Sequence, residues 1–223
     1  MQEAIQWLAV RLKIRVMVRM NKKIQSLLFI CVLAFMSVAN AADMEADVLI
    51  KQTSEKVLSA LGENKQVYEK NPDKIYDLVN DIILPHLDFR AMSRLALGKN
   101  WRKANEDQQL RFVEAFKGML IRTYSKSLQE YADQKIEFLP YVPPAEGKKT
   151  VVVKTQVQQS NGPAIPIDYR LRIKDDIWKV FDIKIDGISL VTNYRSSFNS
   201  DVNKVGMDGL IDKLQKKKSK SSS

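Results

Sequence analysis

The chain has 223 residues, 45% of them hydrophobic and 28% charged, with 36 Lys+Arg against 26 Asp+Glu. A single histidine (His86) and a single cysteine (Cys31) exclude a His/Cys metal cluster and an internal disulfide. Setting aside residues 1–41 and the C-terminal Lys213, Lys216, Lys217, Lys218 and Lys220 leaves 25 of each sign, a neutral body unlike the basic domain that nucleic-acid binding calls for.

The first segment reads as a cleavable export signal. Arg11, Lys13, Arg15, Arg19, Lys22 and Lys23 form its basic part, and Ser26 to Val38 is a nearly unbroken apolar run. At about 13 residues the run is too short for a bilayer, which takes about 20. Ala39-Asn40-Ala41 supplies small residues for cleavage before Ala42. Met20-Asn21-Lys22-Lys23 is itself a normal signal start, which makes Met20 a candidate initiation site. Cys31 follows the bulky Ile30 inside the apolar run, a poor setting for lipid attachment. The expected layout is a signal at 1–41, one domain over 42–214 and a disordered Lys/Ser-rich tail at 215–223.

Residues 43–61 carry apolar positions at helical spacing and stop at Gly62. Asn71-Pro72 predicts a capped helix with proline at its first position, running through Ile75, Leu78, Val79, Ile82 and Ile83 to Pro85. Asp88 caps a short helix through Leu97 that Gly98 ends. Asn105 with Gln108 is a capping box, and the helix behind it, to about Tyr131, bears a wide apolar stripe.

The period then changes to two. Ile165, Ile167, Tyr169, Leu171 and Ile173 alternate with polar residues, and residues 150–158 and 177–185 are β-branched and aromatic-rich. Asn161-Gly162 and Asp175-Asp176 are the hairpin turns, and residues 135–141 predict a further strand. Helix returns from Ser189 to about Val202 and from Met207 to Leu214. This is the α+β order: N-terminal helices, a twisted antiparallel sheet of about four strands, then C-terminal helices. Such a sheet can close on itself or hold a cavity.

No P-loop, nucleophile elbow or dinucleotide-binding glycine pattern occurs. Asp168 and Asp182, on neighbouring strands, are the best carboxylate pair for acid–base work. Both fall opposite an apolar strand face, which predicts a solvated sheet surface. His86, after Pro85 at a helix end, reads as a capping or partly buried side chain.

Two stretches are more specific. One is Leu84-Pro85-His86-Leu87-Asp88-Phe89, continuing through Leu97-Gly98-Lys99-Asn100-Trp101-Arg102 into the Phe112, Phe116 and Tyr124 helix. The other is Tyr169-Arg170-Leu171, Trp178-Lys179-Val180-Phe181-Asp182 and Asp186-Gly187-Ile188-Ser189-Leu190-Val191, then Asn193-Tyr194-Arg195 and Phe198. In order and spacing they resemble the MlaC family of periplasmic phospholipid-binding proteins, also called toluene-tolerance auxiliary proteins, across the whole chain after the signal.

The resemblance implies a non-enzymatic phospholipid carrier of the Mla pathway that takes no cofactor. It implies that lipid passes between an outer-membrane lipoprotein complex and an inner-membrane ABC-transporter complex, which preserves outer-membrane asymmetry, with acyl chains in an apolar pocket. The expected pocket residues are Met92, Leu95, Phe112, Phe116, Met119, Leu120 and Tyr124 from helices. From the strands and the last motif they are Val153, Ile167, Tyr169, Leu171, Phe181, Ile183, Ile188, Leu190 and Tyr194. Arg94, Arg102 and Arg195 are candidates to meet a headgroup phosphate, with surface ion pairing as the rival role. Trp101 and Trp178 anchor the fold or edge the mouth. Two other readings stay open: a periplasmic adaptor with a filled core, and a hydrolase on a cavity-bearing scaffold.

Overall fold

The computed structural model describes residues 44–130, 134–159 and 162–216. The expected signal and its cleavage point, Asp43, Tyr131, Asn161 and the tail from Lys217 lie outside those residues.

Helix α1 (Ala46–Glu63) buries Ala46, Leu49, Ile50, Val57 and Leu61, one stripe at helical spacing. Gly62 sits inside its last turn. After the short α2 (Lys65–Lys70), helix α3 spans only Lys74–Leu78. Asn71 and Pro72 form the turn before it, their carbonyls accepting from the Lys74 and Ile75 amides at 3.1 and 3.2 Å. The single helix expected as far as Pro85 is likewise broken, into a π-helical turn (Val79–Ile83) and a 3-10 turn (Leu84–His86). Pro85 has no N–H and its ring collides with the preceding turn, so regular α geometry cannot run into it.

Helix α4 (Phe89–Leu97) matches its predicted caps. The Asp88 carboxylate accepts from the Ala91 amide at 3.0 Å, and Gly98 turns the chain at φ 55°. A 3-10 segment (Gly98–Arg102) leads to α5 (Glu106–Glu130). There the Gln108 amide donates to Asn105 Oδ1 at 2.8 Å, while Gln108 Oε1 accepts from the Asn105 amide at 3.2 Å, a complete capping box.

The sheet has five antiparallel strands in chain order: β1 (Ile136–Phe138), β2 (Thr150–Val157), β3 (Ile165–Lys174), β4 (Ile177–Ile185) and β5 (Ile188–Ser189). Asp175 and Asp176 both take positive φ in the β3–β4 turn, as do Asp186 and Gly187 before β5. The second turn explains why helix does not begin at Ser189, which pairs with Lys184 in the sheet. Instead a 3-10 turn (Thr192–Tyr194) leads into α6 (Arg195–Lys216), kinked at Gly206.

Register departs from strict alternation at one place. Arg170 pairs with Asp182 and Leu171 with Val180, so Phe181 has no partner and forms a bulge. Val180 is thereby turned inward and buried, and it also bridges to Leu87, with the Asp88 amide donating to its carbonyl at 2.8 Å.

Three separate apolar clusters hold the body together. The first joins α4, α5 and α6 around Phe112, Phe116, Phe198 and Leu210. In the second, Ala46, Leu49 and Ile50 of α1 pack on Val151, Val153, Leu171 and Val180 of the sheet. The third sets Val57 and Leu61 of α1 against Tyr68, Ile75, Leu78 and Val79. Domains of this size more often form one contiguous core. Here three clusters form instead, with space left between them.

Candidate functional site

An apolar cavity of about 460 Å³ lies where the three clusters meet without fusing. Its wall draws on each of them: Met92, Leu120 and Tyr124 from the first, Leu87, Tyr169 and Ile183 from the second, and Val57, Leu61, Ile83 and Leu128 from the third. Helix α1 crosses the whole arrangement. Its start packs on the sheet, its end packs near α3, and Thr53, Ser54, Val57 and Leu58 between them line the cavity. The sheet closes the opposite side with Ile136, Val157, Ile167, Tyr169, Ile183 and Ile185.

Among the described residues no Asp, Glu, Lys, Arg or His lines the cavity. Its polar side chains are hydroxyls and one amide: Thr53, Ser54, Ser125, Ser127 and Gln134, with the phenols of Tyr124 and Tyr169. Burial raises the Tyr169 hydroxyl above its ordinary pKa, while hydrogen bonds with Thr155 and Ser54 act the other way. The Tyr124 and Tyr194 hydroxyls share a hydrogen bond at 3.1 Å, and burial followed by Tyr124 pushes Tyr194 far upward. Tyr169 and Tyr194 therefore stay neutral, and no Asp, Glu, Lys, Arg or His among the described residues adds charge to the wall. A volume of about 460 Å³ with a few placed polar groups falls in the range of small-molecule sites, about 300–1,000 Å³.

Seven expected pocket residues line this cavity: Met92, Leu120, Tyr124, Ile167, Tyr169, Ile183 and Leu190. The other nine do not. Phe112 and Phe116 are fully buried, stacked on each other with centroids 5.6 Å apart and meeting the edge of Phe198 at 5.6 Å, and Met119 packs in the same cluster. Leu95 packs against that cluster from its rim. Tyr194 stacks on Phe198 at 5.4 Å and reaches the wall only through Tyr124. Val153 and Leu171 are filled in beneath the start of α1. The bulge takes Phe181 out of step with Ile183, and the Arg170 guanidinium lies over its ring at 4.8 Å. Ile188, in the tight β4–β5 turn, is 62% exposed.

The arginines are likewise redistributed. Arg195 donates from Nε and Nη2 to the Leu95 carbonyl at 2.9 and 2.7 Å, so it caps the C-terminus of α4. Its side chain lies 3.4 Å from where a Cβ on Gly98 would stand, which binds two of the sequence motifs together through a residue that must be small and turn left-handed. Arg94 and Arg102 are exposed and away from the cavity wall. Trp101 is a buried anchor beneath the Arg90 guanidinium, at 5.5 Å from the ring centroid, and Trp178 packs against the sheet cluster.

The carboxylate pair does not form. Asp168 stands opposite Lys184, not Asp182. Asp182 is also not on a solvated surface: it is fully buried, accepting from Ser189 Oγ at 2.7 Å and from Arg170 Nη1 at 3.2 Å. Ser189 Oγ in turn accepts from the Thr192 amide at 3.0 Å, so this aspartate fixes the chain reversal that leads into α6. Asp88 is equally buried and pairs with Arg172 at 2.6 Å. Both aspartates are occupied in joining strands to helices, which is what the W-K-V-x-D and P-x-x-D-F patterns encode here.

Sequence reasoning passed over the α1 contribution and the segment Val79 to Phe89. Their apolar spacing is that of any packed helix, and only the separation of the three clusters shows that one side faces a void.

Helices packed on a five-stranded antiparallel sheet around an uncharged apolar cavity define an α+β cavity-bearing protein. The model of the MlaC protein family matches residues 51–216, and the chain belongs to that family. It is 31% identical over 182 residues to the toluene tolerance protein Ttg2D of Pseudomonas putida, covering 81% of this chain and 83% of that one. The intermembrane phospholipid transport system binding protein MlaC of Haemophilus influenzae is 24% identical over 204 residues, 87% of this chain and 92% of its own. A solved phospholipid-binding protein of Ralstonia solanacearum, in complex with a phospholipid, superimposes with a TM-score of 0.70 at 30% identity, over 78% of this chain and 96% of that one.

Proposed function

We propose that the protein is a soluble periplasmic phospholipid carrier whose cavity houses acyl chain and whose polar headgroup stays outside the apolar wall. The observation that carries this reading is the uncharged lining between three separate cores, in a family whose Ralstonia relative was solved with a phospholipid. Two chains of about 16 carbons, at about 0.8 kcal/mol per CH₂, represent about 25 kcal/mol gross of transfer free energy. Unassisted passage through water is negligible against that figure. A carrier has to offer nearly bilayer-like surroundings without holding the lipid irreversibly, and hydroxyl-bearing aliphatic walls meet that condition.

The cargo moves between an outer-membrane lipoprotein complex and an inner-membrane ABC-transporter complex, in keeping with the intermembrane transport system named for the Haemophilus relative. The signal at residues 1–41 delivers the chain, and cleavage before Ala42 frees it to cross the gap. No metal, nucleotide or nucleophile is required of the carrier itself, and its lipid is cargo. Purified protein extracted with organic solvent is expected to yield phospholipid near stoichiometry and to transfer labelled lipid between vesicles. Empty preparations and no transfer would sink the reading.

A further inference from the structure

Residues 89–105 contain Arg90, Arg94, Lys99, Arg102 and Lys103 and not one Asp or Glu. The rest of the body, 42–212, carries 20 Lys+Arg against 25 Asp+Glu, so its neutrality conceals a charge separation. All five cations are exposed. Among the described residues none of the five is within an ion pair, whereas Lys74, Arg111, Arg170, Arg172 and Lys213 each hold a carboxylate. Arg90 rests on the Trp101 ring and bonds Gln109 at 3.4 Å. The acids that flank the run are Asp88, buried and paired with Arg172 at 2.6 Å, and Glu106 and Asp107, of which Asp107 is held by Arg111 at 2.7 Å. From the packed neighbour α6, Arg195 adds a further cation, and Asp201 is taken by Lys213 at 2.7 Å.

We propose that this patch is a docking surface for an anionic lipid bilayer. Arg90 and Arg94, four apart on α4, point outward while Phe89 and Met92 of the same helix line the cavity. Docking here therefore sets the cavity's helical wall against a membrane surface. The apolar side of α4 is already used in the interior, so attraction rests on charge, not insertion, and it must yield to salt. Such contact is weak by nature, which suits a protein that has to leave again.

The test is cosedimentation of the purified protein with vesicles of phosphatidylcholine, alone or mixed with phosphatidylglycerol, at low and high salt. Binding to the mixed vesicles only, stripped by salt, is expected. The variant Arg94→Gln/Lys99→Gln/Arg102→Gln/Lys103→Gln should bind them at least about ten-fold more weakly. It should keep wild-type circular dichroism and wild-type extractable phospholipid, which separates this proposal from the cargo reading. The tail variant Lys216→Gln/Lys217→Gln/Lys218→Gln/Lys220→Gln should stay within about two-fold of wild type. The proposal is overturned by wild-type protein that ignores phosphatidylglycerol vesicles, by a patch variant that still binds, or by loss of binding in the tail variant alone. If wild type ignores vesicles yet binds an acidic protein surface through these residues, the patch belongs to a protein partner and the bilayer assignment is wrong.

Discussion

Phe116→Ala and Ile183→Ala, compared side by side, measure where the core ends and the cavity begins. Phe116 is fully buried and meets Phe112, Tyr194 and Phe198 with centroids 5.6, 5.9 and 5.6 Å away. Truncating a packed phenylalanine costs about 3–5 kcal/mol, because transfer free energy is lost and a void is left. Ring–ring terms of about 0.5–1.5 kcal/mol each place this site at the upper end. For a domain of 150–250 residues, at about 2–4 °C per kcal/mol, a cost of about 5 kcal/mol should lower the melting point by about 10–20 °C. Ile183 already faces the open cavity, so its truncation creates little new void and forfeits few contacts. About 1–2 kcal/mol is expected there, below the usual range for a buried isoleucine. Urea denaturation of delipidated protein gives both values, and solvent extraction gives lipid content. Lipid retention should fall for Ile183→Ala before stability does. Equal costs at the two sites, or less than about 1 kcal/mol at Phe116, would refute the division between filled cluster and cavity wall.

Asp88→Ala removes both the α4 cap and the partner of Arg172, and breaking a buried pair of this kind costs about 3 kcal/mol or more. Asp88→Asn, which keeps the cap acceptor, should recover part of it in the same denaturation assay. Arg195→Ala should cost about 1–2 kcal/mol through the lost Leu95 carbonyl bonds and leave bound phospholipid unchanged. His86 is held below its ordinary value of 6.5 by burial, then by Lys179 and Lys56. A histidine with depressed pKa favours the neutral form, so its contribution is whole above 6.5 and is lost as pH falls below it. Thermal midpoints scanned downward through 6.5 should therefore fall more steeply for wild type than for His86→Gln.

Local chemistry was the legible part of the fold. The Asp88 cap, the Asn105/Gln108 box, Gly98 and the Asp175-Asp176 turn act through neighbours three or four residues away, so spacing alone reveals them. The faults lie where distant contacts override the local pattern. Period two put Phe181 beside Ile183 and left Val180 outside, but Leu87 and Asp88 dock on Val180 and the strand bulges to receive them. Asp182 looked like a wet strand position until Ser189 and Arg170 closed over it. For the site, no residue pattern distinguishes the stripe of Phe112, Phe116 and Met119, which meets α6, from Leu120 and Tyr124, which meet empty space. Side chains of equal hydrophobicity serve either role, and the choice depends on how three clusters are spaced.

Crystallographic location of bound lipid in purified wild-type protein, together with the lipid content of the cavity-filling variant Ile183→Trp, decides whether this cavity holds the acyl chain. Acyl-chain density is expected between α1, α5 and the sheet, against Leu58, Leu120, Tyr169 and Ile183, with a marked loss of extractable phospholipid in the variant. Acyl density elsewhere on the protein, or full lipid content with the cavity filled, would contradict it.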